Sequence, residues 1–177
     1  MTVTNSVREI FMLPVMGIVT GAQPVVSFNY GAGNKERVLS VYKYTLLLCV
    51  SYASLGCILT LVMPRFFAGI FTNDAMLIEN AAWCMRVYMA GVFSFGFQNS
   101  CQQTFVALGQ AKTSLLLACL RKLVLLIPLI FILPNFFENK VFAVFLAEPV
   151  SDILAATVTT IIFLTQIKGI LEKGTKK

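Results

Sequence analysis

The sequence predicts an all-α membrane protein of five transmembrane helices, and three observations carry that prediction. Of the 177 residues, 58% are hydrophobic and 12% are charged, well under the roughly 25% charge of an ordinary soluble domain. Three stretches, 10–34, 44–64 and 87–111, contain no charged side chain, and each is long enough to cross a ~30 Å hydrocarbon layer, which takes about 20 apolar residues. The links between apolar stretches are too short to hold a soluble domain, so the chain reads as a single transmembrane bundle. Its solvent is lipid, because 14 Lys plus Arg and 8 Asp plus Glu cannot cover a water-soluble surface of this size.

The first span, about 10–29, follows Arg8 and Glu9 and is too long for a signal h-region, so it reads as a retained helix. It contains Pro14, Gly21, Gln23 and Pro24. Proline removes a donor and clashes one turn back, so ordinary helical hydrogen bonding is expected to fail there, leaving either a fixed kink or a moving hinge. Such a span should lie against protein or a polar cavity. The second span is 44–64. After it, Arg65 to Phe71 reads as an interfacial segment, and Asn73 and Asp74 are expected caps for the helix that leads into the third span, 87–108.

In the third span Ser94, Gln98, Asn99, Gln102 and Gln103 recur at helical spacing on one face. Gln98 lies ~16 Å in from Val87, near the midplane. Two readings stay open for this stripe. It is amide glue between helices, or it lines a water-filled substrate cavity with Gln98, Asn99, Gln102 and Gln103 as its polar groups.

The fourth span, 113–134, carries Arg121, Lys122 and Pro128, and the fifth, 141–167, carries Glu148, Pro149 and Asp152; Pro128 and Pro149 are further hinge or kink candidates. Glu148 and Asp152 are four residues apart and share a helix face. An acid at mid-span costs roughly 2.5–3.5 kcal/mol on insertion scales. The pair is therefore either a proton or cation site, or the counter-charge of a buried base. Arg121 is that base by type. Counted along straight helices, however, it sits ~10 Å from Asp152 along the membrane normal, so it is expected to snorkel toward cytoplasm unless the helices tilt.

The remaining signals are mostly exclusions. The sequence has no histidine, which removes imidazole metal sites and the commonest general base; no catalytic residue, enzyme activity, metal or cofactor is expected. The net charge of +6 is scattered, apart from Lys173, Lys176 and Lys177, which does not fit nucleic acid. Cys49, Cys57, Cys84, Cys101 and Cys119 lack CxxC spacing and read as packing residues. Lys35, Arg37, Lys43, Lys112, Lys168, Lys173, Lys176 and Lys177 fall on one side, against Arg8, Arg65, Arg86 and Lys140 on the other. The richer side, with the carboxyl terminus, is expected to be cytoplasmic.

Several stretches carry a family resemblance. Gly21-Ala22-Gln23-Pro24, Ser27, Asn29 to Asn34 and Arg37-Val38 resemble the second helix and following loop of the carboxyl-terminal lobe in the multidrug and toxic compound extrusion (MATE) family. Phe71 to Asp74, Gln102-Gln103, Ala107 to Ala111, Arg121 with Leu126 to Leu129, and Glu148 to Asp152 resemble the same lobe in order. The resemblance implies helices eight to twelve of a twelve-helix, two-lobe antiporter in the cell membrane. Such a transporter exports small cationic or amphipathic drugs in exchange for Na+ or H+. It further implies that the amino-terminal lobe is absent and the gene product truncated, that the missing lobe is a partner, and that Glu148 and Asp152 are the coupling candidates. Two alternatives are a relative of lipid-linked sugar flippases, and a non-transporting membrane fragment that packs with a partner half.

Overall fold

A computed structural model describes residues 2–137 and 140–174. Lys176 and Lys177 of the expected basic terminus lie outside the described residues, as does the side chain of Lys173. Among the described residues the chain is all-helical: α1 (Thr2–Gly31), α2 (Lys35–Val62), α3 (Pro64–Gly69), α4 (Ala75–Met89), α5 (Val92–Ala107), α6 (Ala111–Cys119), a π-helical segment (Leu120–Leu126), α7 (Ile127–Ile132), a 3-10 turn (Leu133–Asn135) and α8 (Lys140–Gly174).

Local chemistry sets most of these boundaries. Both α1 and α5 end in the same motif. Gly33 and Gly109 take φ values of 74° and 76°, a left-handed conformation that glycine reaches without a Cβ clash. Asn34 N–H then donates to Asn29 C=O at 2.9 Å, and Gln110 N–H to Phe105 C=O at 2.8 Å, the long closing bond of a Schellman cap. Pro64 opens α3, where no N–H is needed. Asp74 caps α4 by accepting from the N–H groups of Met76 and Leu77. The α3–α4 corner is clipped by Arg65, whose Nε and Nη2 each donate to Glu79 at 3.0 Å. That fork holds the exposed Glu79 carboxyl below the ordinary carboxylate range.

Four segments are long and apolar enough to cross a membrane: Val3–Gly31, Lys35–Val62, Ala111–Asn135 and Phe142–Glu172. The third expected span, 87–108, is divided instead, with turns at Ala90 and Gly91 separating α4 from α5. The division coincides with a close approach. A Cβ on Gly91 would lie 2.6 Å from Pro149 Cα, so α8 crosses this junction nearly backbone to backbone. α1 runs as one helix through Pro14 and Pro24, the expected kink points. Neither proline can donate one turn back, and both prolines sit with Gly21 on the exposed face.

The bundle buries an apolar cluster near each end and a smaller one of Val15, Val19 and Cys49 in the middle. At the end formed by the α1–α2 and α5–α6 turns, Phe163 packs against Tyr42 at 4.4 Å and Phe105 at 5.1 Å between ring centroids. At the α3–α4 end, Val7, Met12, Met85, Met89 and Val92 come together. Between them α2 and α5 touch through Gly96, where a Cβ would meet the Cys49 backbone at 3.0 Å. Small residues at such crossings let membrane helices approach closely. Cys49, Cys57 and Cys101 are buried, in keeping with a packing role.

Gly91→Ala is expected to destabilise the detergent-solubilised protein by about 1–3 kcal/mol, the usual penalty for overpacking. Gly169→Ala, whose Cβ meets nothing within 4 Å, is the control and should leave stability unchanged or higher. Thermal unfolding followed by intrinsic fluorescence compares the two.

Candidate functional site

Four oppositely charged side chains meet at the α3–α4 end of the bundle. The Pro149–Gly91 contact places the adjacent acids of α8 beside the last turn of α4 and the first turn of α5. Arg8 of α1 reaches across. Its Nη1 donates to Glu148 Oε1 at 2.7 Å, and its Nη2 to Asp152 Oδ2 at 3.0 Å. Arg121 comes from the π-helical segment, and its Nε and Nη2 both lie 2.7 Å from Asp152 Oδ1. The Arg8 and Arg121 side chains are each 12% exposed, that of Glu148 22% and that of Asp152 5%.

The surrounding groups hold the bases in place. Arg8 Nη1 also donates to the Tyr88 hydroxyl at 2.9 Å, and that hydroxyl donates to Asn5 Oδ1 at 2.8 Å. Ser151 Oγ donates to the backbone carbonyl of Arg121 at 3.2 Å, joining α8 to the π-helical segment. The Phe95 ring lies 4.9 Å from the Arg121 guanidinium carbon and 5.6 Å from that of Arg8, so one π face serves two cations. Two acids and two bases leave no net charge. Removing any one of them from such a buried set strands its partner, typically at 3–5 kcal/mol.

The cluster forms part of the wall of a cavity of about 640 Å³, to which Met12, Met16, Phe95 and Lys122 also contribute. That volume is within the range that accepts a drug-sized molecule. Lys122 is exposed and, with Glu9, adds one charge of each sign to the wall.

The structure corrects one sequence expectation directly. Arg121 does not snorkel away from Asp152 but pairs with it. The depth count assumes straight α-helices standing normal to the bilayer, whereas Arg121 lies on a π-helical turn. Such turns widen the helix and occur often at functional sites. Arg8, which its position in the sequence puts among the loop charges, is inside the helix and inside the site. The sequence does offer a signal, since Val3, Val7 and Phe11 extend the apolar periodicity backwards past Arg8. Nothing local in the sequence marks Tyr88, Asn5 or Phe95.

The polar stripe on α5 sits elsewhere. None of Gln98, Asn99, Gln102 and Gln103 lines the 640 Å³ cavity. Asn99 Nδ2 reaches the sulfur of Met16 at 3.5 Å, and Met16 does line it. Gln102 donates weakly to the Ser114 carbonyl at 3.4 Å. Gln103 and Gln23 border a void of about 10 Å³ between α1, α2 and α5, room for one water at most. Gln98 is 1% exposed, and neither its amide nitrogen nor its oxygen has a partner among the described residues. Of the remaining kink candidates, Pro149 is buried against Gly91, while Pro128 is exposed in the first turn of α7.

A family model described as MatE matches residues 1–132. The chain is similar to Multidrug export protein MepA of Staphylococcus saprophyticus, 23% identical over 145 residues, which cover 81% of this chain and 32% of that protein. It is also similar to the MepA of Staphylococcus aureus, 26% identical over 151 residues with the same coverage. A crystal structure of MATE in the bent conformation superposes with a TM-score of 0.90 at 16% identity, over 98% of this chain and 38% of that one. A solved structure of the MATE multidrug transporter DinF-BH gives 0.81 at 27% identity, over 90% and 35%. The chain thus spans about a third of the length of the curated relatives it matches.

An unpartnered buried amide costs about 1–3 kcal/mol. Gln98→Met, which keeps the volume and removes both polar atoms, is therefore expected to raise stability by about 1 kcal/mol or more. A melting temperature that falls would show that Gln98 has a water or other partner in solution.

Proposed function

The chain belongs to the MatE family, and from that premise we propose that it forms the carboxyl-terminal part of a cation-coupled multidrug efflux antiporter. The observation that carries the reading is the buried Arg8–Glu148–Asp152–Arg121 cluster at the wall of a drug-sized cavity. Charges placed in a bundle against lipid are expensive and are otherwise rare. A set that is internally neutral has a low-energy closed form, and its balance changes when H+ or Na+ arrives. The ion then shifts the population between outward- and inward-facing states through its different affinity for each.

In this reading Glu148 and Asp152 are the coupling acids and Arg121 is the fixed counter-charge. Cationic or amphipathic drugs occupy the cavity beside Met12, Met16 and Phe95. Gln98, with Asn99, Gln102 and Gln103, supplies hydrogen bonds to substrate or water when the helices rearrange, which gives a use to the unpartnered amide of the present state. Pro14, Gly21, Gln23 and Pro24 on α1, with Pro128 and Pro149, supply the flexible points. The protein sits in the cell membrane with its carboxyl terminus cytoplasmic. The chain spans 32% of MepA, so the activity is proposed for the complete two-lobe transporter and not for these residues alone. The cavity wall carries Arg8, Arg121 and Lys122 against Glu9 and Glu148, a mixed rather than strongly cationic lining, which favours this reading over a flippase for polyanionic lipid-linked sugars.

Co-expression with a matching amino-terminal lobe, followed by reconstitution in liposomes, tests the proposal. Dye efflux driven by a sodium or proton gradient is expected from the pair, and Glu148→Gln with Asp152→Asn should reduce it to background. Gradient-driven efflux that survives both substitutions contradicts the coupling assignment.

A further inference from the structure

Arg8 lies between the two acids of α8, within hydrogen-bond reach of both. The two acids project from one face of α8, and the base between them comes from a different helix, donating one nitrogen to Glu148 and the other to Asp152. Arg121 already neutralises Asp152, with Nε and Nη2 on a single oxygen. The remaining negative charge, on Glu148, therefore falls to Arg8. We propose that Arg8 is a tethered counter-cation. It fills the cation site between Glu148 and Asp152, and the coupling ion acts by displacing it. This rests on the coupling role read above for the two acids.

The groups around Glu148 fit such an exchange. Beyond Arg8 and Glu9, α1 contributes Asn5 and apolar side chains to this part of the wall; α4 presents the Tyr88 ring and α5 the Phe95 ring; the π-helical segment presents Arg121 and Lys122; α8 itself adds Asp152. When Arg8 leaves, the vacated place is bounded by two carboxylates and the π faces of Tyr88 and Phe95, which already lie 5.2 and 5.6 Å from its guanidinium carbon. Carboxylates with aromatic faces make a site for a monovalent cation. The displaced guanidinium has somewhere to go, because Arg8 lines the 640 Å³ cavity and Glu9 is its neighbour there. Its fork ties α1 to α8 directly, so exchanging it for a small ion frees α1 at the same moment that the acids are neutralised. A tethered cation thus converts ion binding into helix release, and by linkage helix position sets ion affinity.

Charge-changing variants of the purified chain in detergent test this, with Na+ titrated against choline at constant ionic strength. Sodium binding is read as radiolabelled Na+ uptake and as Na+-dependent thermal stabilisation. Proton occupancy is read as a protonated-carboxyl band in the infrared. Arg8→Gln leaves one uncompensated negative charge. It should therefore bind Na+ at least about tenfold more tightly than wild type, about 1.4 kcal/mol, or carry a protonated carboxyl that wild type lacks. Arg8→Gln with Glu148→Gln restores neutrality and should lose either gain. Arg8→Lys keeps the charge but cannot bridge two acids as a fork does. It should show a smaller gain, and it carries the test if Arg8→Gln does not fold. Equal cation occupancy in wild type and both single variants, or a gain that persists in the double variant, overturns the proposal. That failure would leave the coupling acids in place. Conversely, efflux insensitive to Glu148→Gln and Asp152→Asn would remove the coupling role and leave the cation gain of Arg8→Gln intact.

Discussion

Within the bundle the charges of Arg8, Arg121, Glu148 and Asp152 find their counter-charges in one another, and that constraint organises one end of the molecule. The cluster draws on three separated parts of the chain, residues 8, 121 and 148–152. Each must be brought to within 3.0 Å of its partner for the burial to be tolerable. The supporting features serve that placement. Gly91 lets α8 approach at Pro149, the residue next to Glu148. The π-helical segment aims Arg121 at Asp152, and Tyr88 with Asn5 orients the fork of Arg8. At the opposite end the packing is ordinary, with Tyr42, Phe105 and Phe163 stacked in an apolar cluster.

The contrast with the second ion pair shows why position decides the worth of a charge. Arg65 and Glu79 are also bidentate, but they are 71% and 66% exposed, where water competes and salt screens. They clip a corner. The less exposed cluster instead links α1, α4, the π-helical segment and α8 through paired groups that lie largely out of water. A neutral, internally paired set against a cavity is what the proposed cation coupling would act on, since one added positive charge changes its balance.

Much of this was legible in the sequence, for identifiable reasons. Glu148, Asp152 and Arg121 stand out because apolar spans exclude charge, and Asp74 because a helix start calls for a capping acceptor. The helical ends at Pro64 and Asp74 follow from their backbone chemistry. Three features were not legible. Arg8 stands before the first charge-free stretch and so counts with the loops, although its helix starts at Thr2. The third expected span is divided at Ala90 and Gly91, where Pro149, far along the chain, packs against Gly91, a contact no local pattern encodes. The amides of α5 read as one stripe, yet the fold gives them different surroundings: Gln98 is sealed, Asn99 touches Met16, and Gln103 borders a small void. Periodicity assigns a face; what lies opposite that face is a property of the whole bundle.

The central claim is that Arg8 and Glu148 are energetically one unit. A double-mutant cycle on unfolding free energy, using Arg8→Gln, Glu148→Gln and the double variant in detergent, measures that coupling most directly. The account expects each single change to be costly and the double change to cost less than their sum, with a coupling of roughly 1–3 kcal/mol, in the range found for residues in contact. Strictly additive effects would contradict it, because they would mean that the two side chains do not meet in the folded protein.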